Sequence, residues 1–486
     1  MTPFAPCHDA DVAVIGAGPA GIRAALTAVD LGLNVTLMDE AEAPGGQVYR
    51  ALPQALRPKA GQGDEPDLQR GDSLRARLAA SDADVRLGRR VWSVLKDGTR
   101  FRIDALSPAG PETCRARAII SATGATERTQ PFPGWTLPGV TGLAAATILL
   151  KSQRLLPGQR TVVAGAGPLL LLVAATILKA GGTVMAVIDL AARREWLSSL
   201  PALASRPDLL GRGFRWQWTL RRAGVPVLYR HAVRHAQGHD DLERVTVGPV
   251  DAEGRPDSRG STVTYEADAL TVGHGLTPAI EISRLLGAEH HFDRDKGGWI
   301  AKADEDGRAS LPGLYVAGDG AGIRGAAAAE LQGALAAHAV GRDFGILSAP
   351  DHARRVRPLR REHRRAARFG GAMARLMAAR PAGIESIPAE TVVCRCEDVT
   401  RAEIDTAIGE GANDINQLKH FTRCGMGPCQ GRMCGETVAE ILALRRDGRA
   451  AVGLWTARTP IRPMPLDQVL GDFDYGDIPI PPPAPL

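Results

Sequence analysis

The chain has 486 residues, enough for about three domains, and its 59 lysine and arginine residues against 54 aspartate and glutamate residues give a net charge of +5. So small a charge over this length does not support a polyanionic partner, and we expect no nucleic-acid binding. The longest apolar run, Pro168 to Ala180, is too short for a transmembrane segment, and residues 1–10 lack the apolar core of a secretory signal.

A short apolar strand near the N-terminus runs into a glycine motif and then a predicted helix. The motif is G-x-G-x-x-G, with Gly16, Gly18 and Gly21 at its fixed positions and Pro19 and Ala20 between them. The first glycine permits a tight turn, the second lets a pyrophosphate approach the backbone, and the third lets the helix pack closely. The helix N-terminus would face the phosphates. The motif therefore predicts a dinucleotide-binding domain.

An acidic residue follows at the distance that this motif requires. The next predicted strand ends in Asp39, eighteen residues beyond Gly21, where a carboxylate can accept hydrogen bonds from a ribose 2′-hydroxyl. Glu40 is the alternative if the register differs by one residue.

Three later segments resemble the flavoproteins of glutathione-reductase type, which have two dinucleotide-binding domains. A glycine pair follows the acid at 44–47, a strand ends in Ala-Thr-Gly at 119–125, and a strand at 314–320 ends in Gly-Asp, whose aspartate contacts the flavin side in that family. The resemblance implies an FAD-type domain that is split in sequence. Its further candidate contacts are Gly46, Gln47, Ala122, Thr123, Gly124, Gly318 and Asp319.

A second strand, glycine turn and helix are inserted between these halves. Gly165, Gly167 and, at the end of the following strand, Asp189 are its candidate nucleotide contacts. Leu170 stands where the third glycine is expected, and a bulky side chain there pushes the helix away from the strand. We therefore expect this domain to be structural and not to oxidise NAD(P)H.

Five of the seven cysteines lie close together near the C-terminus, at Cys394, Cys396, Cys424, Cys429 and Cys434. An iron-sulfur cluster takes four thiolates. The spacing resembles the bacterioferritin-associated ferredoxin module, which implies that Cys394, Cys396, Cys429 and Cys434 bind a 2Fe-2S cluster and that Cys424 is a bystander. A structural zinc site is the alternative. Free thiols of this kind are typical of a reducing compartment, so we expect a cytoplasmic protein.

The segment around these cysteines has local signals of its own. Thr400, three residues before Glu403, predicts a capping box and a helix that brings the cysteine groups together. Gly425, Gly427 and Gly431 are expected to let the backbone approach the sulfurs and donate N–H groups to them. Outside this region only Cys7 and Cys114 remain, which excludes a redox dithiol beside a flavin.

An arginine-rich segment precedes the cysteines and a proline-rich segment follows them. The first, 351–368, is expected to be a connecting helix with its apolar face on its own core, the alternative being a helix that docks on an acidic protein surface or anionic lipid. The proline-rich segment is expected to be an extended arm, and arms of this type commonly lie across a neighbouring chain. The predicted division is 1–140 and 291–345 for the split FAD-type domain, 141–290 for the inserted domain, 346–388 for the connecting helix, 389–450 for the cluster domain and 451–486 for the arm.

Taken together, these motifs resemble the alpha subunits of heteromeric, sarcosine-oxidase-like amine dehydrogenases. That family includes opine oxidases, proline and D-hydroxyproline dehydrogenases and hydrogen cyanide synthase. The resemblance implies an α/β fold with two dinucleotide-binding domains and a small helical 2Fe-2S domain. It also implies an FAD-dependent, amine-oxidase-like beta subunit that oxidises the C–N bond, FMN at the interface between the two chains, and in some cases a small third subunit. The first site of this chain would hold FAD, or NAD or ATP as in some relatives.

The expected role is therefore to carry electrons onward, and no catalytic residue is assigned to this chain. Two alternatives stay open at this point. One is an NAD(P)H-dependent reductase that sends electrons from the inserted domain to the cluster. The other is a scaffold whose nucleotide is structural. Peripheral membrane contact through the arginine-rich segment would be compatible with each of them.

Overall fold

The computed structural model describes residues 9–57 and 66–468. Cys7 and residues 469–486 of the predicted arm lie outside the described residues. In the part described, no helix is both long and apolar enough to cross a membrane.

The first sheet is built around the N-terminal glycine motif. Its strand order is β3-β2-β1-β6-β5-β4, with strands β3, β2, β1 and the second half of β6 running parallel and β4, β5 and the first half of β6 antiparallel. The elements are β1 (Asp9–Ile15), α1 (Pro19–Val29), β2 (Val35–Asp39), α2 (Pro66–Ala79), β3 (Asp84–Leu87), β4 (Arg90–Asp97), β5 (Arg100–Ser107) and β6 (Gly110–Ser121).

The chain then crosses to a second sheet with the all-parallel order β11-β10-β9-β15-β8, joined by a three-stranded antiparallel sheet, β12-β13-β14. Strands β7 and β16, the outward and return crossings, pair antiparallel with each other. The elements are β7 (Ala125–Glu127), β8 (Val140–Gly142), α3 (Leu143–Ile148), β9 (Arg160–Gly165), α4 (Leu169–Lys179), β10 (Thr183–Asp189), α5 (Arg193–Leu203), α6 (Pro207–Arg222), β11 (Val227–Tyr229), β12 (His231–Gln237), β13 (Arg244–Pro249), β14 (Val263–Glu266), β15 (Ala269–Gly273) and β16 (Leu276–Pro278).

The returning chain completes the first sheet, because β19 pairs in parallel with the end of β6. Helix α8 packs on α1 through small residues, and the carbonyl oxygen of Ala20 would lie only 2.0 Å from a Cβ added at Gly333. The elements are α7 (Glu281–Leu285), β17 (His290–Asp293), β18 (Gly298–Ala301), β19 (Leu314–Val316) and α8 (Ala326–Asp343).

The arginine-rich segment is one long helix, α9 (Ala349–Leu376), capped by the Ser348 hydroxyl. Its apolar residues are buried against the rest of the chain, mostly in the C-terminal half, while its arginines face outward. This is the arrangement expected for a connecting helix with its apolar face on its own core.

The C-terminal part is small and mostly helical. The predicted capping box is confirmed, since the Thr400 side chain and the Glu403 carboxylate each accept from the other's backbone amide. Beyond the cysteines, Ile461 donates its backbone N–H to the Trp92 carbonyl, so the described part of the arm lies on this chain itself. The elements are α10 (Pro381–Glu385), β20 (Val392–Cys394), β21 (Val399–Thr400), α11 (Arg401–Gly409), α12 (Ile415–Thr422), α13 (Gly435–Ala443) and α14 (Arg449–Val452).

Candidate cofactor sites

The first glycine loop has the geometry of an anion-binding turn. Gly16 has φ +106°, and a Cβ there would lie 2.3 Å from the Ala122 carbonyl oxygen. A Cβ at Gly21 would lie 1.7 Å from the Gly16 carbonyl oxygen, so both positions exclude a side chain. Gly18 is open, with its nearest neighbour at 3.9 Å, and helix α1 begins next to it at Pro19 without a side-chain cap. Pro19 has no N–H, so the amides of Ala20 and Gly21 are the ones at this helix start that can bind a phosphate.

The predicted ribose acid lies beside this loop. The Asp39 carboxylate accepts hydrogen bonds from the backbone amides of Ala17 and Ala41, the second at 2.7 Å. Burial raises the pKa of Asp39 above its usual value, with the two amide bonds opposing that shift. Each carboxylate oxygen keeps acceptor capacity for a ribose hydroxyl. The Glu40 side chain is 57% exposed and faces Arg90, so the geometry favours Asp39.

The glycine pair closes over the same loop. Gly46 has φ +59°, and a Cβ at this position would lie 2.9 Å from the Gly18 Cα. A side chain there would push the two loops apart. Gln47 is exposed, and its amide oxygen accepts a hydrogen bond from Arg50 at 2.7 Å.

Residues 122–124, where the chain leaves the first sheet, are anchored at the ends of β1 and β16. Ala122 donates its backbone N–H to the Ile15 carbonyl, and the Thr123 hydroxyl donates to the Ala279 carbonyl at 2.7 Å. Gly124 has φ +71° with open space around it. The segment therefore lies directly beside the first glycine loop.

The late Gly-Asp pair meets the N-terminus of α1. A Cβ at Gly318 would lie 2.9 Å from the Ala20 Cβ, which brings this turn against the first glycine motif. Asp319 accepts from the backbone amides of Arg324 and Gly325 at 2.9 and 3.0 Å. Burial raises the pKa of Asp319 despite these bonds. The structure thus brings all the predicted segments of the first site together.

The second glycine loop, in contrast, is covered by the protein. Gly165 has φ +136° and packs on the Gly273 carbonyl, as a glycine turn requires. A Cβ at Gly167, however, would lie 2.4 Å from the Cγ of Met377, which follows the end of α9. Met377 is buried, and it occupies the side of the loop from which a phosphate would approach.

Asp189, the acidic residue associated with the second glycine loop, already has hydrogen-bond partners within the protein. Asp189 is buried and accepts from the Ala191 amide at 2.9 Å and from the Trp196 indole N–H at 2.8 Å. Its burial raises its pKa to about 6. Leu170 is buried in the core between α4 and its sheet. An apolar cluster from α9 and α5 lies over this edge, formed by Ala191, Leu203, Ala372, Met373, Leu376 and Met377, with Trp196 packed against it.

All five C-terminal cysteines converge. The pKa of Cys394 falls to about 2 because the thiols of Cys424 and Cys434 donate hydrogen bonds to its thiolate, and the pKa values of both donors rise accordingly. Cys396 and Cys429 form a second contacting pair. Cys394, Cys424 and Cys434 are buried, whereas Cys396 and Cys429 are partly exposed.

This thiol-only donor set fits an iron-sulfur cluster. Within residues 9–57 and 66–468, no three His, Cys, Asp or Glu side chains are arranged to hold a single ion. A 2Fe-2S cluster distributes four thiolates over two irons. The thiols form a group of three, Cys394, Cys424 and Cys434, beside the pair Cys396 and Cys429, which is enough to supply two thiolates to each of two irons.

The glycines of the cysteine loop have two different roles. A Cβ at Gly427 would lie 2.4 Å from the Cys396 Cβ, and the Gly425 N–H donates to the Cys394 sulfur, which confirms the expected backbone approach for these two. At Gly431 a Cβ would lie 1.5 Å from the Trp455 ring, and the donation of its N–H to a sulfur stays a prediction. The absence of a side chain at Gly431 makes room for this indole.

Trp455 belongs to the site although the sequence motifs do not predict it. Its ring also covers Gly425 and Gly435, and its indole N–H donates to the Ile415 carbonyl at 3.1 Å. The one sequence signal is that a tryptophan follows the cysteine segment and precedes the prolines.

The cysteine region is docked firmly on both nucleotide domains. The Trp135 indole N–H donates to the Val392 carbonyl at 2.6 Å, next to the first cysteine pair. Arg432, between the last two cysteines, pairs with Glu281 at 3.2 Å. The Thr437 hydroxyl donates to the Thr129 carbonyl at 2.9 Å. The thiols are therefore held at a fixed position beside the crossover segments.

Comparison with known proteins agrees with this arrangement. Residues 10–340 match the family described as pyridine nucleotide-disulphide oxidoreductase, and residues 392–443 match the BFD-like [2Fe-2S] binding domain. The chain therefore belongs to the pyridine nucleotide-disulphide oxidoreductase family and combines its FAD- and NAD-binding fold with a [2Fe-2S] domain.

Its more particular relatives are components of oxidases and synthases. It is 37% identical to one of the subunits of opine oxidase from Rhizobium meliloti (strain 1021), over 94% of this chain and 98% of that protein. It is 36% identical to the HcnB subunit of hydrogen cyanide synthase from Pseudomonas aeruginosa, over 93% of this chain and 96% of that protein. The predicted family and fold are thus confirmed.

Among solved structures, L-proline dehydrogenase from P. horikoshii has a similar fold. The TM-score is 0.68 at 22% identity, over 96% of this chain and 80% of that one. At this identity the similarity concerns the fold alone. It extends over the nucleotide domains and the C-terminal region together.

Proposed function

We propose that this chain is the electron-transferring alpha subunit of a heteromeric amine or imino-acid dehydrogenase. The observation that carries the proposal is the group of five thiols held beside the nucleotide domains by Trp135, Arg432 and Thr437. Its relatives are subunits by name, so a partner chain is expected to oxidise the substrate. We expect that partner to be an FAD-dependent, amine-oxidase-like beta subunit, with a small third subunit in some assemblies.

In this proposal the cluster ligands are Cys394, Cys396, Cys429 and Cys434. When bound, a 2Fe-2S centre accepts one electron at a time, which divides a two-electron oxidation into steps that a quinone or similar carrier can accept. These four thiols would hold the irons, and the packing of Trp455 on Gly425, Gly431 and Gly435 would keep the cysteine loop in position. The thiols require reducing conditions, which is consistent with a cytoplasmic protein.

The first glycine loop would hold the nucleotide of this chain. Gly18 and the α1 amides would receive the phosphates, and Asp39 the ribose hydroxyls. FAD, NAD and ATP share the adenosine and phosphate groups that this loop recognises. FMN would belong to the interface with the partner, and the substrate would be an opine, proline or a hydroxyproline.

The covered second glycine loop supports electron flow from the partner chain into this chain. A self-sufficient reductase needs an open NAD(P)H site beside the flavin. Here Met377 lies against Gly167, and Asp189 is bonded to Trp196. We therefore propose that electrons enter from the partner chain and not from NAD(P)H.

The test is to purify the chain alone and co-expressed with the product of its neighbouring gene. Iron content, visible spectrum and the mass of extracted nucleotide are measured for both preparations. We expect two irons per chain in both, and bleaching by an amine substrate only in the complex. Zinc in place of iron, or rapid bleaching of the lone chain by NADH, would contradict the proposal.

A further inference from the structure

The second nucleotide domain carries an exposed apolar surface on α5 and α6. Leu197 is 64% exposed, Phe214 58% and Trp218 61%. Phe214 and Trp218 are the most exposed phenylalanine and tryptophan among the residues that the structure describes. Exposed aromatic groups of this size commonly mark an interaction surface.

Helix α6 does not need these two rings for its own packing. Among its residues only Leu220 is fully buried, in the core that α6 shares with α4. Phe214 and Trp218 are four residues apart and therefore lie on one face of the helix, directed away from that core. Arg222 extends this face, with its guanidinium 5.4 Å from the Trp218 ring.

The two helices share one surface through Tyr229. The Arg193 guanidinium lies 5.1 Å from the Tyr229 ring, and the Gln217 amide donates to the Tyr229 hydroxyl at 3.2 Å. Leu197 follows Arg193 by one helical turn. We call this surface the α5–α6 face and define it by Arg193, Leu197, Phe214, Gln217, Trp218 and Arg222.

The exposed charges on α5 and α6 are mostly positive. The acidic neighbours of the face are neutralised, since Glu195 pairs with Arg380 and Asp208 with Arg206. The remaining exposed charges on the two helices are arginines, namely Arg193, Arg194, Arg215, Arg221 and Arg222. An apolar centre with a basic rim complements a surface with acidic side chains around an apolar recess.

We propose that the α5–α6 face is the docking surface for the partner subunit, through an acidic patch on that partner. The inference rests on the proposed heteromeric function. It also gives the second domain a role, because Met377 packs against the nucleotide loop of this domain while Leu197, Phe214 and Trp218 on its outer helices are exposed. Tryptophan and arginine are the side chains that most often dominate the binding energy of such interfaces.

The test compares the double variant Phe214→Ser, Trp218→Ser with the wild type in co-expression with the partner. Leu95→Ser is the control, because Leu95 is 46% exposed on strand β4 of the first sheet and not on the second domain. We expect the double variant to bind the partner at least about tenfold more weakly, while iron content and melting temperature stay unchanged. Leu95→Ser should bind like the wild type.

A charge variant adds an independent readout. Arg222→Glu should weaken binding, and salt should weaken the binding of the wild type more than that of Arg222→Glu. If the double variant and Arg222→Glu both bind like the wild type, the docking proposal is wrong while the proposed function stands. If the wild type itself retains no partner, both proposals fail. Loss of binding to phosphatidylglycerol vesicles, or of self-association, with partner binding intact would assign the face to a membrane or to a second copy and overturn the proposal.

Discussion

Five thiols meet where a 2Fe-2S cluster needs four, so one of them has another role. Cys424 is the most deeply buried of the five and contacts Cys394. Cys396 and Cys429 pair with each other near the surface. The resemblance to the bacterioferritin-associated ferredoxin module implies that Cys424 is the bystander, and in the structure Cys424 lies in the same apolar core as Cys394 and Cys434.

Serine variants separate these roles. Cys429→Ser should lose the visible absorption of the cluster and most of its iron, because a hydroxyl replaces a thiolate ligand. Cys424→Ser should keep both, with at most a loss of stability from a buried hydroxyl of about 1 to 3 kcal/mol. The iron content per chain and the visible spectrum distinguish a ligand cysteine from a bystander. An intact cluster in Cys429→Ser, or its loss in Cys424→Ser, would reverse the assignment.

Trp455 shows why some site residues escape sequence reasoning. The glycines of the cysteine loop suggest close backbone approach, but they do not say what approaches. In the structure a single indole lies against Gly425, Gly431 and Gly435. The ring comes from a segment twenty-one residues beyond Cys434, so no local pattern connects it to the loop.

The packing of the Trp455 ring against Gly431 gives a second prediction. Gly431→Ala should destabilise the cluster domain by about 2 kcal/mol or more, because Gly431 has φ +79° and its new methyl group would meet the Trp455 ring. Gly409→Ala is the control, since Gly409 has open space around it within the last turn of α11. Urea unfolding followed by cluster absorbance measures the difference. Equal effects of the two variants would show that the indole does not occupy this position.

At the scale of elements, the sequence predicts that α9 buries an apolar face, and it does. What the sequence does not indicate is which surface that face covers. An amphipathic pattern specifies that a helix packs, whereas the surface it packs on depends on the folded arrangement of distant segments. The end of α9 lies over the second glycine loop, more than 200 residues away along the chain. Leu170 leads to the same prediction, that this loop does not bind NAD(P)H, from the crowding of the helix against the strand and not from the cover by α9.

The cover over this loop can be tested through Met377. Met377→Ala should lower the free energy of unfolding by about 2 to 4 kcal/mol, because it removes a buried side chain. The control Met426→Ala should change it by less than about 0.5 kcal/mol, since Met426 is 42% exposed. NADH should bleach neither the wild type nor Met377→Ala, because Asp189 stays bonded to Trp196. Saturable NADH binding and bleaching in the wild type would show that the cover opens.

At the scale of the molecule, the sequence predicts the order of the folded units better than their contacts. Strand-glycine-helix signals are local, so both nucleotide folds could be predicted, and so could the return of the chain to the first sheet at β19. The position of the cluster domain on the nucleotide domains could not be predicted. It depends on side chains such as Trp135, Arg432 and Thr437, which carry no signal in a single sequence.

Glu281 is the residue at which this long-range arrangement can be tested. Its carboxylate pairs with Arg432 of the cysteine loop at 3.2 Å and with Arg462 of the arm at 2.9 Å, and the pKa of Glu281 lies below its usual value because the favourable charges of the two arginines outweigh its burial. Glu281→Gln leaves two partly buried guanidinium groups without a carboxylate, which should cost about 1 to 3 kcal/mol. The loss should fall on the cluster domain, because both arginines belong to the C-terminal part of the chain.

We therefore expect the cluster absorbance of Glu281→Gln to be lost at a lower temperature than the signal of the nucleotide domains, whereas the two coincide in the wild type. Glu289→Gln provides the control, since Glu289 pairs with Lys302 at 2.8 Å through largely exposed side chains and should contribute little. Coincident transitions in Glu281→Gln would mean that Trp135 and Thr437 alone hold the cluster domain in place. Separate transitions would show that a single carboxylate couples the thiol group, the arm and the nucleotide domains.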